Sequence, residues 1–209
     1  MLGAVRTLRV DAARLDRWCA GFAERHGGAP AVARAGSRLV LSAPDGATAA
    51  LEPGFPLPDD AGAELATMLD WVVVPRRCAA LLVRRGGYAC AVVEGARVTT
   101  SKVGTRYVQS RTAAGGWSQQ RFARRRQNQA RDLVDAVADV AARVLVPAGA
   151  QWLVTGGDRP LVADVLTDRR LAVLGALPRG PHLALGDPRS DVVRALPALI
   201  AQVRVDVDP

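Results

Sequence analysis

Between residues 79 and 108, three strand-like runs, AALLVR (79–84), YACAVV (88–93) and RVTTSKVGTRYV (97–108), follow one another across Gly86-Gly87 and Glu94-Gly95. Runs this short, joined by turns this tight, pair as neighbours, which predicts an antiparallel meander whose third strand breaks at Gly104. The period then changes. From 119 to 146, Leu133, Val134, Val137, Val140, Ala141, Val144 and Leu145 recur at helical spacing and predict one long helix with a strong apolar stripe. Phe122 and Arg126 occupy the preceding stripe positions, so the stripe begins near Ala130 and the first three turns are expected to project past the body. A buried strand at 152–155, a helix at 159–166, a strand at 171–174 and Pro- and Gly-rich loops follow. A last helix, with Asp187 and Asp191 at its start, runs to about Val203 and is kinked at Pro197. A meander followed by strands alternating with helices predicts an α/β fold in which helices cover a mixed sheet.

Upstream, Leu15, Trp18, Cys19 and Phe22 give residues 11–26 an amphipathic helical pattern that stops at Gly27-Gly28. Strands at 38–43 and 47–51 flank the turn Pro44-Asp45-Gly46. The stretch EPGFPLPDD (52–60), with Pro53, Pro56 and Pro58, reads as a linker or surface loop, followed by a short helix at 61–69. Two domains are therefore expected: a small helix-plus-hairpin unit at 1–58 and a larger domain at 59–209.

Charge narrows the function. Residues 95–131 hold nine cations (Arg97, Lys102, Arg106, Arg111, Arg121, Arg124, Arg125, Arg126, Arg131) and no Asp or Glu. The rest of the chain carries 19 basic against 20 acidic residues, so all of the net positive charge, +8 in total, comes from this stretch. A cationic segment concentrated in this way is the footprint of a phosphate-rich partner. Other classes recede. With 49% hydrophobic residues in 209, the chain can build a sizeable core, yet it has no run of 18 apolar residues and arginines interrupt its N-terminal apolar stretches. It reads as cytoplasmic, with no membrane partner. Cys19, Cys78 and Cys90 lack CxxC spacing and sit in apolar runs as small buried hydrophobes, while His26 and His182 are too few for a metal site. No metal or cofactor is expected. Trp18, Trp71 and Trp152 read as core.

Several local rules fail together in RYVQSRTAAGGWSQQRFARRR (106–126). Four arginines crowd the first turns of a helix whose N-terminus already carries a positive dipole, at a cost of roughly a few tenths of a kcal/mol each unless an anion compensates. Free helix N–H groups beside arginine side chains suit phosphate, and Arg121, Arg124 and Arg125 share a face. Gly115-Gly116 frees the backbone for close approach just before Trp117, Ser118, Gln119 and Gln120. The plainer readings are a solvated basic face, an ordinary flexible loop and Ser118 as an N-cap. The stretch nearly matches the GxSxG nucleophile elbow, but its closing glycine is missing and neither histidine has an identifiable orienting carboxylate, which argues against a serine hydrolase.

Arg106-Tyr107, Arg111 and Gly115-Gly116-Trp117-Ser118-Gln119, followed by a basic helix, resemble the actinobacterial VLRF-type peptidyl-tRNA hydrolases, relatives of the middle domain of eukaryotic and archaeal class-one release factors. The resemblance is sharpest at 106–126, good over 78–146, and extends in element order to the whole chain. It implies an RNase H-like release-factor domain that hydrolyses the peptidyl-tRNA ester on stalled large ribosomal subunits, in ribosome quality control during translation. Release factors carry Gly-Gly-Gln; here Trp117-Ser118 intervenes, so the catalytic glutamine maps to Gln119, with Gln120 adjacent. The extensions by which the eukaryotic relatives engage an ATPase are missing.

The residue types agree with that chemistry. The peptidyl-transferase centre already orders the ester, so a factor need only place a water at the carbonyl carbon, which Gln119 can do with its backbone N–H and side-chain amide. Gly115, Gly116 and Ser118 complete the catalytic loop. Lys102, Arg106, Arg111, Arg121, Arg124, Arg125 and Arg126 are expected to hold it against rRNA and tRNA phosphates, with Trp117 stacking on a base. The partners implied are the large subunit, peptidyl-tRNA and rRNA, and no DNA. The alternative is a noncatalytic ribosome- or RNA-binding module in which the same loop only docks. A metal-dependent tRNA nuclease needs clustered carboxylates, and 95–131 has none.

Overall fold

A computed structural model describes the backbone of residues 5–105 and 118–209, and the side chains of all of these except 118–127. The chain divides into two units, Met1–Val74 with Ala198–Pro209, and Pro75–Pro197.

In the first unit, β1 (Arg6–Asp11) ends where the Asp11 carboxylate accepts from Ala13 N at 2.9 Å, nucleating a 3-10 turn that leads into α1 (Leu15–Arg25). Leu15, Cys19 and Phe22 form the buried stripe of α1, and Gly27 and Gly28, at φ 88° and 123°, end it as expected. β2 (Ala31–Ala35), β3 (Arg38–Ser42) and β4 (Thr48–Glu52) follow, and β3 and β4 form the predicted hairpin, in the register Leu39↔Leu51 and Leu41↔Ala49. His26 does have a carboxylate: its Nδ1 lies 2.8 Å from Asp45 Oδ2 in the β3–β4 turn. The Ala47 backbone N–H, then His26, holds the Asp45 carboxyl below its usual range. The pair ties the end of α1 to that turn.

The proline-rich stretch is packed, which is why no boundary falls there. Phe55 and Leu57 are buried, Arg34 donates to Pro58 O at 2.9 Å, and Trp71 Nε1 donates to Phe55 O at 3.2 Å. Trp71 belongs to α2 (Leu65–Val73), which starts four residues later than expected because the loop occupies residues up to 64.

The second unit is built on β5 (Arg77–Arg84), β6 (Gly87–Glu94) and β7 (Arg97–Gly104), the antiparallel meander, followed by α3 (Ser118–Val144). β8 (Trp152–Gly157) then pairs parallel to β5, and α4 (Arg159–Leu166) starts at its N-cap Asp158. Residues 171–174 are not the expected strand. Asp168 caps a 3-10 turn at Arg169–Leu171, accepting from Arg170 N at 2.9 Å, and α5 (Ala172–Gly175) continues it. A four-residue apolar run carries no period that separates strand from helix. The fifth strand is instead β9 (Arg179–Leu183), in what reads as loop because it contains Gly180 and Pro181, a composition tolerated only at a sheet edge. The order β7-β6-β5-β8-β9 is a mixed sheet, as the sequence predicts, antiparallel across the meander and parallel from β5 through β8 to β9. α3 buries Leu133, Val137, Ala141 and Leu145 in one cluster with Leu81, Cys90, Leu161 and Val165.

α6 (Ser190–Ile200) contains Pro197 as predicted, but ends before β10 (Gln202–Asp208), which returns to the first unit. There the order is β1-β10-β4-β3-β2, all antiparallel, with Val203 and Val205 in the core beside Leu39, Leu51 and Phe22. The first unit is therefore a five-stranded sheet with α1 and α2 rather than a helix and hairpin, and it is discontinuous in sequence.

All three cysteines are free and buried, and burial pushes their thiols up, to about 11 for Cys19 and Cys78 and about 12 for Cys90. Thiolate, the reactive form, is therefore scarce at neutral pH. Native protein at pH 8 is expected to react with a thiol-disulfide reagent far more slowly than protein in denaturant; a fast stoichiometric reaction of the native protein would contradict this burial.

Candidate functional site

The residues singled out by sequence converge on the chain between β7 and the start of α3. Lys102 stands exposed on β7, opposite Cys90 of β6 in register. Arg106, Arg111, Gly115, Gly116 and Trp117 lie outside the described residues. Ser118, Gln119 and Gln120 form the first turn of α3, and Arg121, Arg124, Arg125 and Arg126 its next two turns. At 27 residues α3 is about 40 Å long, and its first fully buried residue among those described is Leu133.

Glycines build the sheet edge that carries this segment. β7 ends at Gly104, paired with Tyr88, and a Cβ at Gly104 would overlap the Tyr88 ring. A Cβ on Gly87 would stand 2.8 Å from Gly104 O, and one on Gly156 2.8 Å from Leu82 Cδ2. Gly157, at φ 87°, leaves no room for a side chain beside the Val83 carbonyl. The segment after Gly104 is thus rooted in closely packed backbone. In the sequence Gly87 reads as part of a turn and Gly104 as a strand break, while Gly156 and Gly157 carry no local signal; their clustering at one edge follows from the β5·β8 and β6·β7 registers.

His182 of β9 sits at the same edge. Its Nδ1 lies 2.9 Å from Thr155 Oγ1 and its Nε2 3.3 Å from Gly157 O. A carbonyl can only accept, so Nε2 carries a hydrogen, and in the neutral ring Nδ1 accepts from the Thr155 hydroxyl. Burial first, and then the Arg159 charge, push its pKa below the ordinary 6.5. The unfolded chain protonates this residue before the folded one does, so stability is unaffected well above pH 6.5 and falls as pH drops through that value. The urea midpoint is expected to be lower at pH 5.5 than at pH 7.5, with a smaller difference in His182→Gln; an equal pH difference in that variant would contradict the assignment.

Charge separates the units as well. By sequence the first holds eight basic and eleven acidic residues, the second twenty and nine. The cations belong to the unit that carries the glycine-packed edge. Among the described residues, no group of three or more His, Cys, Asp or Glu is placed to hold a metal ion, and no helix is long and apolar enough to cross a membrane.

No curated protein matches the chain. Among solved structures, the crystal structure of an archaeal translation termination factor, aRF1, is similar at 14% identity and a TM-score of 0.38. The alignment covers 76% of this chain, which spans only 46% of the archaeal one. The model of the Actinobacteria/chloroflexi VLRF1 release factor family matches residues 76–206, from the start of the meander into β10. With well over half of its length matched, and with the meander, long helix and strand–helix remainder in place, the chain belongs to the Actinobacteria/chloroflexi VLRF1 release factor family.

Proposed function

We propose that this protein is a peptidyl-tRNA hydrolase that frees nascent chains from stalled large ribosomal subunits, with Gln119 positioning the attacking water. The observation that carries the reading is the 37-residue stretch 95–131, nine cations without one carboxylate, lying inside the matched release-factor region and containing GGWSQ. A segment of that charge is suited to RNA, and a site without His, Asp or Glu requires chemistry that needs no titrating base. Hydrolysis of an activated ester already held by the peptidyl-transferase centre is such chemistry. Gly115 and Gly116 shape the loop and Ser118 opens α3 beside it, while Lys102, Arg106, Arg111, Trp117, Arg121, Arg124, Arg125 and Arg126 hold the segment on rRNA and tRNA. The catalytic work belongs to the unit Pro75–Pro197, which holds the whole cationic segment, and the setting is cytoplasmic ribosome quality control.

The test is peptide release from purified stalled large subunits, with binding followed in parallel. Release dependent on the protein is expected. Binding without release would replace this reading with a docking module that has the same basic helix and no chemistry.

A further inference from the structure

The glycine-packed edge of the second unit gathers arginines from separate stretches of chain. Arg84 ends β5 and Arg85 follows it in the turn to β6; Arg159 opens α4, directly after β8. The registers Arg84↔Gly87, Val83↔Gly157 and Tyr88↔Gly104 set all three at the edge from which the chain leaves β7. β5 and β7 are two strands apart, about 10 Å at the usual strand spacing. Asp158 N donates to Val83 O at 2.7 Å, which holds the α4 start against the end of β5.

All three arginines are exposed. Arg84 Nη1 donates to Leu185 O at 2.9 Å, which fixes the guanidinium without neutralising it. Among the described residues, neither Arg85 nor Arg159 forms an ion pair, whereas at the opposite edge Arg77 faces Glu94 at 4.0 Å. The nearby carboxylates are Asp158, the α4 cap that accepts from Leu161 N, and Asp187, which lies against Gly86. The Arg159 charge reaches far enough into this edge to oppose protonation of His182.

We infer that Arg84, Arg85 and Arg159 form a second contact with the RNA sugar-phosphate backbone, on the folded body itself and distinct from the cationic segment. Exposed guanidinium groups that no carboxylate neutralises, set at one end of a sheet with backbone glycines between them, can receive phosphates. This contact rests on the reading that the protein works on ribosomal RNA.

The experiment measures affinity for purified large ribosomal subunits across a salt series for the wild type, Arg85→Ala/Arg159→Ala, Arg85→Lys/Arg159→Lys, and the charge-matched control Arg14→Ala/Arg17→Ala, at the N-cap and in the first turn of α1. Each phosphate neutralised adds roughly 0.7–0.9 to the slope of log affinity against log salt. The alanine pair is expected to flatten the slope by about 1.4–1.8, the lysine pair to restore it and the control to leave it unchanged. An unchanged slope in the alanine pair, or an equal loss in the control, overturns this contact while wild-type release stands. A wild-type protein that does not bind the subunits overturns both this contact and the reading beneath it.

Discussion

Gln119→Ala is expected to slow peptide release from stalled large-subunit complexes by about 10²–10³-fold, the range seen when a single preorganised hydrogen-bonding group is lost from a catalytic site. Affinity and its salt dependence should stay near wild type, because an uncharged side chain that orients water contributes little to phosphate binding. Gln120→Ala serves as the partner measurement. Both residues lie in the first turn of α3, where successive positions of a helix are rotated by about 100°. Only one of them can face the ester, so one variant should lose activity and the other keep it. Equal, near-parental rates in both would remove the glutamine from the mechanism.

Replacing Arg124, Arg125 and Arg126 together with alanine should produce the opposite signature. Three lost phosphate contacts would flatten the salt slope by about 2–3 and weaken subunit binding by on the order of 100-fold near 0.15 M salt. The same change puts alanine, the strongest helix former, into the second and third turns of α3, so in the absence of RNA the variant should be no less stable than the wild type. A thermal melt checks that directly. If binding survived unchanged at every salt concentration, these arginines would be no more than a solvated surface.

How much of this is legible in the sequence depends on how far apart the interacting residues lie. β5, β6 and β7 can be read because glycine turns join neighbours, and α4 begins where its Asp158-x-Pro160 signal predicts. β1 and β10 escape a local reading. Val203, Val205 and Val207 alternate as a strand should, but their partners Val10, Leu8 and Arg6 lie more than 190 residues away in sequence, and the preceding helical pattern runs into them. β2 exposes three of its five residues and so carries no core signal. The packing of 52–60 is hidden because it depends on an arginine from β2 and a tryptophan from α2. In the candidate site the charge is plain from counting, while the edge formed by Arg84, Arg85 and Arg159 exists only once the parallel β5·β8 pairing brings distant segments together.

Delivery of water to an acyl ester, the role proposed for this chain, is an event that isotope labelling reads directly. Release from stalled subunits in ¹⁸O-water, followed by mass spectrometry of both products, should give a peptide with one ¹⁸O in its new terminal carboxylate and an intact tRNA with an unlabelled 3′ hydroxyl. A peptide that leaves without label, or still bonded to a nucleotide, would contradict it.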